Sequence, residues 1–285
     1  MNNIINSIVE KISKNYPDLI IDVTQETKNN GIILNAIIIR EKAYGIAPII
    51  YIDDFINWGW SIDHIADVVY ELYFKNKKDD HSEQLIKIIS NYEIVKEWLS
   101  LQLVNYEKNI KLFETLPYKS FLDLGVYVVI KLPIDEPGEA TIKITNEILM
   151  LWEKSFDEAY EMAMKNLHNE TPVCTSLHKF MEERGVTVSY NIADDFYIIT
   201  NSSGVYGASV MLNYDFINEL AEKIGSDLIV FPSSVDEILA LSMNDMDDLS
   251  GLSDIVKSVN AAEIDEQKIL SDHIYLFRRG QNWEF

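Results

Sequence analysis

The sequence predicts an α+β fold (mixed α/β) in two lobes, with antiparallel or mixed sheet elements packed against helices. In several segments apolar residues recur at helical spacing, whereas others alternate apolar and polar residues or form short apolar runs between turn residues. Helices give way to strand-like patterns near residue 117, so we place the lobes at residues 1–116 and 117–285; the alternative is that they are two halves of one domain. With 285 residues, 47% of them hydrophobic, the chain can bury a sizeable core.

The N-terminal lobe is predicted to combine a β-hairpin with helices. Lys28-Asn-Asn-Gly31 has the composition of a hairpin turn. Ser61 is the expected N-cap of an amphipathic helix, and Ser90 and Glu93 have the spacing of a capping box. The predicted elements are, in order, a helix ending before Tyr16-Pro17, strands 19–23, 32–40 and 46–52, a short helix through Trp58, a helix from Ser61, and a region that is helical throughout residues 82–116.

The C-terminal lobe is predicted to begin with strands and continue with helices. Thr145 opens one helix, and Ser155 with Glu158 forms the capping box of another. The predicted elements are strand 121–132, a turn at 135–138, strand 140–145, helices from 145 and 155, a helix near 176–184 and strand 186–190. The residues expected to face one common core are Ile144, Ala159, Ala163, Met164, Phe216, Leu220, Ile229 and Phe231.

Residues 194–241 form the most regular unit of the sequence. A strand, a turn at Asn201–Gly204 and a second strand over 205–212 lead to a helix that Asn213 can cap and Gly225 can end. An apolar strand over 228–231 follows. Ser234 and Glu237 then have capping-box spacing, which predicts a strand-to-helix turn at residues 232–237.

Composition and charge limit the kinds of partner and the cellular location that we expect. There are 46 Asp and Glu against 24 Lys and Arg, a net charge of −22, which should repel phosphate backbones and anionic lipids and attract a basic protein surface. A single cysteine, Cys174, excludes an internal disulfide and suits the cytoplasm. No apolar run reaches about 18 residues, so we expect no membrane contact. We also expect no cofactor and no metal.

The densest acidic loops are the predicted partner-binding residues. They are Asp194, Asp195, Asp245, Asp247 and Asp248, with a further acidic loop at Asp135, Glu136 and Glu139. Because loops can converge on one side of a sheet, these residues predict an acidic patch that imitates a nucleic acid. Acids spread evenly for solubility are the alternative.

The strand-to-helix turn is the alternative site. Tyr206, Ser233, Ser234 and Glu237 would surround it, with a serine as nucleophile near free amides at a helix N-terminus. The glycines of a nucleophile elbow are absent, however, and helix capping explains Ser234 and Glu237 without catalysis.

Three other sequence patterns are only weak evidence for a metal site. Asp18, Glu26 and Lys28 have the residue types of a metal-dependent nuclease site, but the spacing is loose. The segment from Asp245 resembles the start of a calcium loop, but Ser250 and Val256 stand where glycine and glutamate are required. The five histidines show no close pairing of a zinc site.

Five groups of short motifs are spread along nearly the whole chain. They are Ala47-Pro48-Ile49-Ile50-Tyr51, Gly59 with Ser61, Thr200-Asn201 with Tyr206-Gly207-Ala208, Pro232-Ser233-Ser234 with Glu237, and Leu270-Ser271-Asp272 with Tyr275. With these motifs the chain resembles a bacterial family of unknown function that occurs in Firmicutes and their mobile elements, and a weaker similarity extends to a second Firmicute family of unknown function. In the first family a histidine commonly stands at the position of Asp236, which argues against catalysis at this turn.

The resemblance implies no activity and no catalytic residues. We therefore expect an acidic cytoplasmic binding protein that acts through protein–protein contacts. The sharper form of this expectation is a nucleic-acid mimic that inhibits a nucleic-acid-binding enzyme on behalf of a mobile element. A hydrolase that uses the turn at residues 232–237 is the alternative.

Overall fold

The computed structural model describes residues 2–41, 47–76, 82–133, 140–183, 185, 196–245 and 249–285. The chain divides into two compact units, Met1–Ile89 (unit 1) and Ser90–Phe285 (unit 2). The boundary that the sequence suggested, near residue 117, lies inside unit 2. The fold is α+β as predicted, and no helix within the described ranges is long and apolar enough to cross a bilayer.

Unit 1 is an antiparallel three-stranded sheet, β1–β2–β3, covered by helices. Its hairpin turn is the predicted one, since Lys28 N–H donates to Ile32 O at 2.7 Å and Asn30 and Gly31 adopt positive φ. Isoleucines of α1 and β2 form its buried core with Ile65 and Val69 of α3. The elements are α1 (Asn2–Asn15), β1 (Ile20–Thr27), β2 (Ile33–Arg40), β3 (Ile49–Tyr51), α2 (Asp53–Asn57), α3 (Ile62–Asn76) and α4 (Ser82–Ile89).

Unit 2 contains two antiparallel sheets with helices between the strands. In one, β6 lies between β4 and β5 and also pairs with β7; the other has the order β13–β12–β10–β11–β9–β8. Its elements up to residue 182 are α5 (Tyr92–Val95), β4 (Leu99–Asn105), α6 (Ile110–Phe113), β5 (Lys119–Phe121), β6 (Leu124–Leu132), β7 (Ala140–Lys143), α7 (Asn146–Trp152), α8 (Phe156–Asn169), β8 (Val173–Ser176) and α9 (Leu177–Glu182). The remaining elements are β9 (Phe196–Thr200), α10 (Tyr214–Ile224), β10 (Leu228–Phe231), β11 (Ile238–Ser242), α11 (Leu252–Glu263), β12 (Tyr275–Phe277) and β13 (Trp283–Glu284).

Several predicted helix ends are confirmed by their hydrogen bonds. Ser155 and Glu158 form a reciprocal capping box at the start of α8. The Asn213 side chain accepts from Phe216 N–H at 3.2 Å, and Gly225 ends α10 in the left-handed region, with φ of 79°. At α5, however, the cap is Asn91, which accepts from Glu93 N–H, and not Ser90. These ends were predictable because a cap is a local interaction.

Three predicted elements are wrong. Residues 82–116 are not helical throughout, because they contain β4, which pairs with β6. Residues 205–212 form no strand: β9 already pairs with β8 and β11, and Gly207–Leu212 is instead a fully buried 3₁₀ helix. The chain after Ser234 forms β11 and not a helix. Each segment is a short apolar run whose periodicity does not separate helix from strand.

The residues predicted to face the core are buried to different degrees. Five of the eight are buried, namely Ile144, Ala159, Ala163, Leu220 and Ile229, and the other three are partly buried. Ile229 and Phe231 belong to one apolar cluster with Leu241 and Leu252. The predicted turn at 135–138 and strand at 186–190 lie outside the described residues.

One carboxylate joins the two sheets of unit 2. Asp123, in the turn between β5 and β6, accepts hydrogen bonds from the Ser271 hydroxyl at 2.7 Å and from the Tyr275 phenol of β12. Both donors are completely buried. Burial and the nearby Asp123 charge raise the pKa of Tyr275, so the phenol keeps its proton and remains a donor. Two buried donors therefore depend on one acceptor.

We predict that Asp123→Ala lowers the free energy of unfolding by about 3 kcal/mol, because both hydroxyls lose a charged acceptor while staying buried. Tyr275→Phe should cost about 1.5 kcal/mol, since Ser271 keeps its bond. Chemical denaturation at pH 7 measures both. Glu161→Ala is the control, because it removes an exposed carboxylate from α8 and should change stability by less than about 0.5 kcal/mol. Equal losses in Asp123→Ala and Glu161→Ala would contradict the role of Asp123.

Candidate functional site

The turn at residues 232–237 connects two antiparallel strands, β10 and β11. The predicted strand-to-helix turn at this position is therefore wrong, and no helix N-terminus is available there to bind an anion. The Ser234 hydroxyl is buried and accepts from the backbone N–H of Asp236 at 3.1 Å, within its own turn. Ser234 and Glu237 do not form a capping box.

Asp236 is the centre of this turn. Its carboxylate accepts from Tyr206 N–H at 3.0 Å and pairs with Lys268 Nζ at 2.6 Å, while its carbonyl oxygen accepts from the Thr200 hydroxyl at 2.6 Å. Gly207 packs so closely that an added Cβ would lie 2.1 Å from Thr200 Oγ1 and 2.5 Å from Asp236 O. Asp236 therefore ties together three segments that are distant in sequence.

The same contacts argue against hydrolysis at this turn. The hydrogen bond to Asp236 raises the pKa of Lys268, so its amine stays protonated and is unsuited to take a proton from Ser234. None of the hydrogen bonds found for the described residues joins Ser234 to a histidine or a carboxylate. The arrangement can hold a turn in place, but it lacks the base that activates a serine.

Tyr206, from the alternative site, is held in the left-handed region with φ of 52°, and it precedes the buried 3₁₀ helix. Burial, and to a smaller extent the charge of Tyr206, raise the pKa of Tyr127 on β6. Tyr127 donates to Gln102 Oε1 at 2.7 Å. The 3₁₀ helix that Tyr206 precedes packs against β4 and β9, so Tyr206 lies at the start of a segment that is part of the core of unit 2.

A cavity of about 580 Å³ lies elsewhere in unit 2. Trp98, Lys131, Asn166, Glu170 and Ser203 contribute to its wall, and neither Tyr206, Ser233 nor Glu237 does. Its polar groups make contacts within the chain: Lys131 Nζ donates to Ser203 Oγ at 3.1 Å, and Glu170 Oε1 accepts at 3.0 Å from the hydroxyl of Ser202, which lies outside the wall. Its volume would suit a small ligand, but its polar groups are largely engaged in contacts within the chain.

Most residues of the predicted acidic patch are not among those that the structure describes. Asp194, Asp195, Asp247 and Asp248 lie outside the described residues, and Asp245 is described only by its backbone, at the end of a short 3₁₀ helix. Asp135, Glu136 and Glu139 also lie outside the described residues. Whether these acids converge on one surface stays a prediction.

A different acidic surface is visible on α10. Asp215, Glu219 and Glu222 are exposed at positions i, i+4 and i+7, on one face of the helix, whereas Ile217 and Leu220 are buried on the other. We call these three acids the α10 acidic face. The sequence predicted this helix, but the partner-binding acids were predicted in loops. The helical spacing of these three acids is visible in the sequence.

The metal-site patterns gain no support. Asp18 precedes β1 and Glu26 lies at its far end, about 20 Å along the strand at the usual rise per residue. Lys28 instead lies over the Tyr51 ring, with Nζ 4.1 Å from its centroid. Val256, at the closing position of the calcium-loop pattern, is buried in α11. Throughout the described ranges, no group of three histidine, cysteine or acidic residues could hold a metal.

Comparison with known proteins places the chain in a family without assigning an activity. Residues 1–279 match the family described as "Family of unknown function (DUF5688)". No match was found among curated proteins or among solved structures. The match covers both units.

We predict different effects for the two residues of the supposed capping box. Ser234→Ala should lower the free energy of unfolding by about 1 kcal/mol, because Asp236 N–H loses its buried acceptor. Glu237→Ala should change it by less than about 0.5 kcal/mol, because no helix begins there. Thermal or urea unfolding of the two variants measures the difference. Equal and substantial losses would indicate that the capping box exists after all.

Proposed function

The chain belongs to DUF5688, a family of unknown function, and because membership brings no activity with it, we propose that the protein is an acidic binding protein that acts through contacts with a basic protein partner. Charge complementarity would give such a complex its specificity and a high association rate. The proposal rests on the net charge of −22 and on the exposure of the α10 acidic face.

Unit 2 carries most of the negative charge. Residues 90–285 contain 33 acidic and 15 basic residues, a net charge of −18, whereas residues 1–89 contain 13 acidic and 9 basic residues, a net charge of −4. Unit 2 is also the longer unit, so its acidic residues are nearly in proportion to its length, and its excess negative charge comes from a smaller share of basic residues. The exposed α10 acidic face within this unit is the observation that carries the proposal.

The α10 acidic face leaves its charges available to a partner. No ion pair among the described residues engages Asp215, Glu219 or Glu222, although Glu222 accepts a hydrogen bond from the neighbouring Asn218 amide. Elsewhere in unit 2 lysines do pair with acids, as Lys119 does with Asp157 and Lys154 with Glu158. A row of acids about one helical turn apart, with little internal neutralisation, suits a row of lysines or arginines.

A sharper form of the proposal is a decoy that occupies the basic groove of a nucleic-acid-binding enzyme in the cytoplasm, as a mobile element in a Firmicute host would use. The protein itself would not bind nucleic acid, because its charge repels phosphates. The hydrolase alternative would need a base beside Ser234, and the contacts of Asp236 and Lys268 offer none.

We predict that replacing the α10 acidic face weakens partner binding at least about tenfold, because three charges act on the same basic surface. The variant combines Asp215→Asn, Glu219→Gln and Glu222→Gln. A partner would first be captured from host extract at low salt, then purified and titrated by calorimetry against the wild-type chain and the variant. Raising the salt from about 50 to 500 mM should weaken the wild-type complex steeply.

The matched control removes the same charge elsewhere in unit 2 with Glu107→Gln, Glu114→Gln and Glu153→Gln, three exposed positions. It should bind almost as well as the wild type, because distant exposed charges are largely screened. Equal affinity of the two triple variants would exclude the α10 acidic face as the contact. Binding that is insensitive to salt would overturn the electrostatic proposal as a whole.

A further inference from the structure

Unit 1 carries a cluster of aromatic rings at the junction of α2 and α3. The rings of Phe55 and Trp60 are stacked, with centroids 5.1 Å apart and planes 4° apart. The Trp58 ring leans against both, at 5.8 Å from Phe55 and 5.2 Å from Trp60. We call Phe55, Trp58 and Trp60 the aromatic surface.

The backbone holds Trp58 in a position where its side chain is exposed. Trp58 is the C-cap residue that follows α2, and its N–H donates to Asp54 O at 2.8 Å. Gly59 then reverses the chain with φ of 73°, and Trp60 N–H donates to Phe55 O at 3.2 Å. Phe55 and Trp60 pack on the core of unit 1, whereas Trp58 is 62% exposed. An indole held against two rings is a contact surface that loses little conformational entropy on binding.

An acidic side chain accompanies the exposed indole. Asp54 is exposed and lies one helical turn before Trp58, and no ion pair among the described residues engages its carboxylate. The other nearby acids are engaged within unit 1: Asp53 accepts from the Asn35 amide at 2.7 Å, and Asp63 pairs with Lys11 at 2.6 Å. Asp54 and Trp58 therefore offer a carboxylate and an aromatic face at neighbouring positions.

We propose that the aromatic surface binds an arginine side chain of a partner protein, with the guanidinium stacked on Trp58 and paired with Asp54. Arginine fits better than lysine because its planar group stacks on indole rings, donates in two directions to a carboxylate and is more weakly hydrated. The chain uses related contacts internally, as Lys119 lies over the Tyr160 ring at 4.2 Å. Among the described cations, those found over a ring face Tyr51, Tyr92 or Tyr160, and none of them covers Trp58.

This inference goes beyond the proposed function. It concerns unit 1, whose net charge is −4, and a recognition that combines stacking with one ion pair. Such a contact should depend less on salt than binding to the α10 acidic face, because dispersion and desolvation contribute to it.

The test is a titration of the full chain, labelled with ¹⁵N at its tryptophans, with a short peptide that contains two arginines. The indole N–H signals of Trp58 and Trp60, assigned with Trp58→Phe, should shift in a saturable manner. The same peptide with lysine should bind about threefold more weakly, and one with uncharged citrulline should cause no saturable shift.

Two variants test which residues of the aromatic surface and its surroundings the peptide contacts. Trp58→Ala should abolish the shift at Trp60, and Asp54→Asn should weaken binding about threefold, the magnitude of one exposed ion pair. Phe74→Ala is the matched control, because Phe74 is also an aromatic residue of unit 1 and is 68% exposed; it should bind as the wild type does. Circular dichroism would establish that each variant is folded.

Three outcomes would overturn the proposal. Saturable binding of the citrulline peptide would mean that the surface takes an apolar segment, and a shift that depends on protein concentration without peptide would mean that it pairs with a second copy. An unchanged Trp60 shift in Trp58→Ala would place the contact elsewhere. Because the α10 variant should leave this titration unaltered, failure here would leave the proposed function standing.

Discussion

The carboxylate of Asp123 is the contact on which the architecture of unit 2 depends. It lies in the turn between β5 and β6 and accepts hydrogen bonds from two hydroxyls, those of Ser271 and Tyr275, that have no access to water. A buried donor without an acceptor costs more than a hydrogen bond contributes. Separating the two sheets would therefore leave both hydroxyls without their acceptor, and the contact holds β12 beside the turn between β5 and β6.

Strand pairing within the second sheet determines the part of unit 2 where the alternative prediction placed a hydrolase site. Because β12 pairs with β10, and β10 with β11, the segment after Ser234 belongs to a central strand and cannot form a helix. Asp236 then meets Lys268 and the backbone of Tyr206. The Ser234 hydroxyl accepts from its own turn, and the protonated Lys268 amine pairs with Asp236, so these groups stabilise the turn.

The two proposed contacts lie on different units and depend on different interactions. The α10 acidic face acts through charge, so its affinity should fall with ionic strength, whereas the aromatic surface around Trp58 acts through stacking and one carboxylate. Both suit a partner rich in basic residues, because lysines or arginines can pair with the α10 acidic face and an arginine can stack on Trp58.

The sequence alone determined what depends on neighbouring residues. The capping box of Ser155, the cap and end of α10, and the hairpin turn at Lys28–Gly31 all form as predicted, because each involves residues within a few positions of one another. Only the tertiary structure decided that residues 99–105 and 238–242 are strands and that 207–212 is a buried 3₁₀ helix. A short apolar run suits either structure, and partners distant in sequence, such as β6 for β4, supply the hydrogen bonds that select one. The contacts of Asp123 and Asp236 were hidden for the same reason, since their partners lie 148 and 32 residues away in sequence.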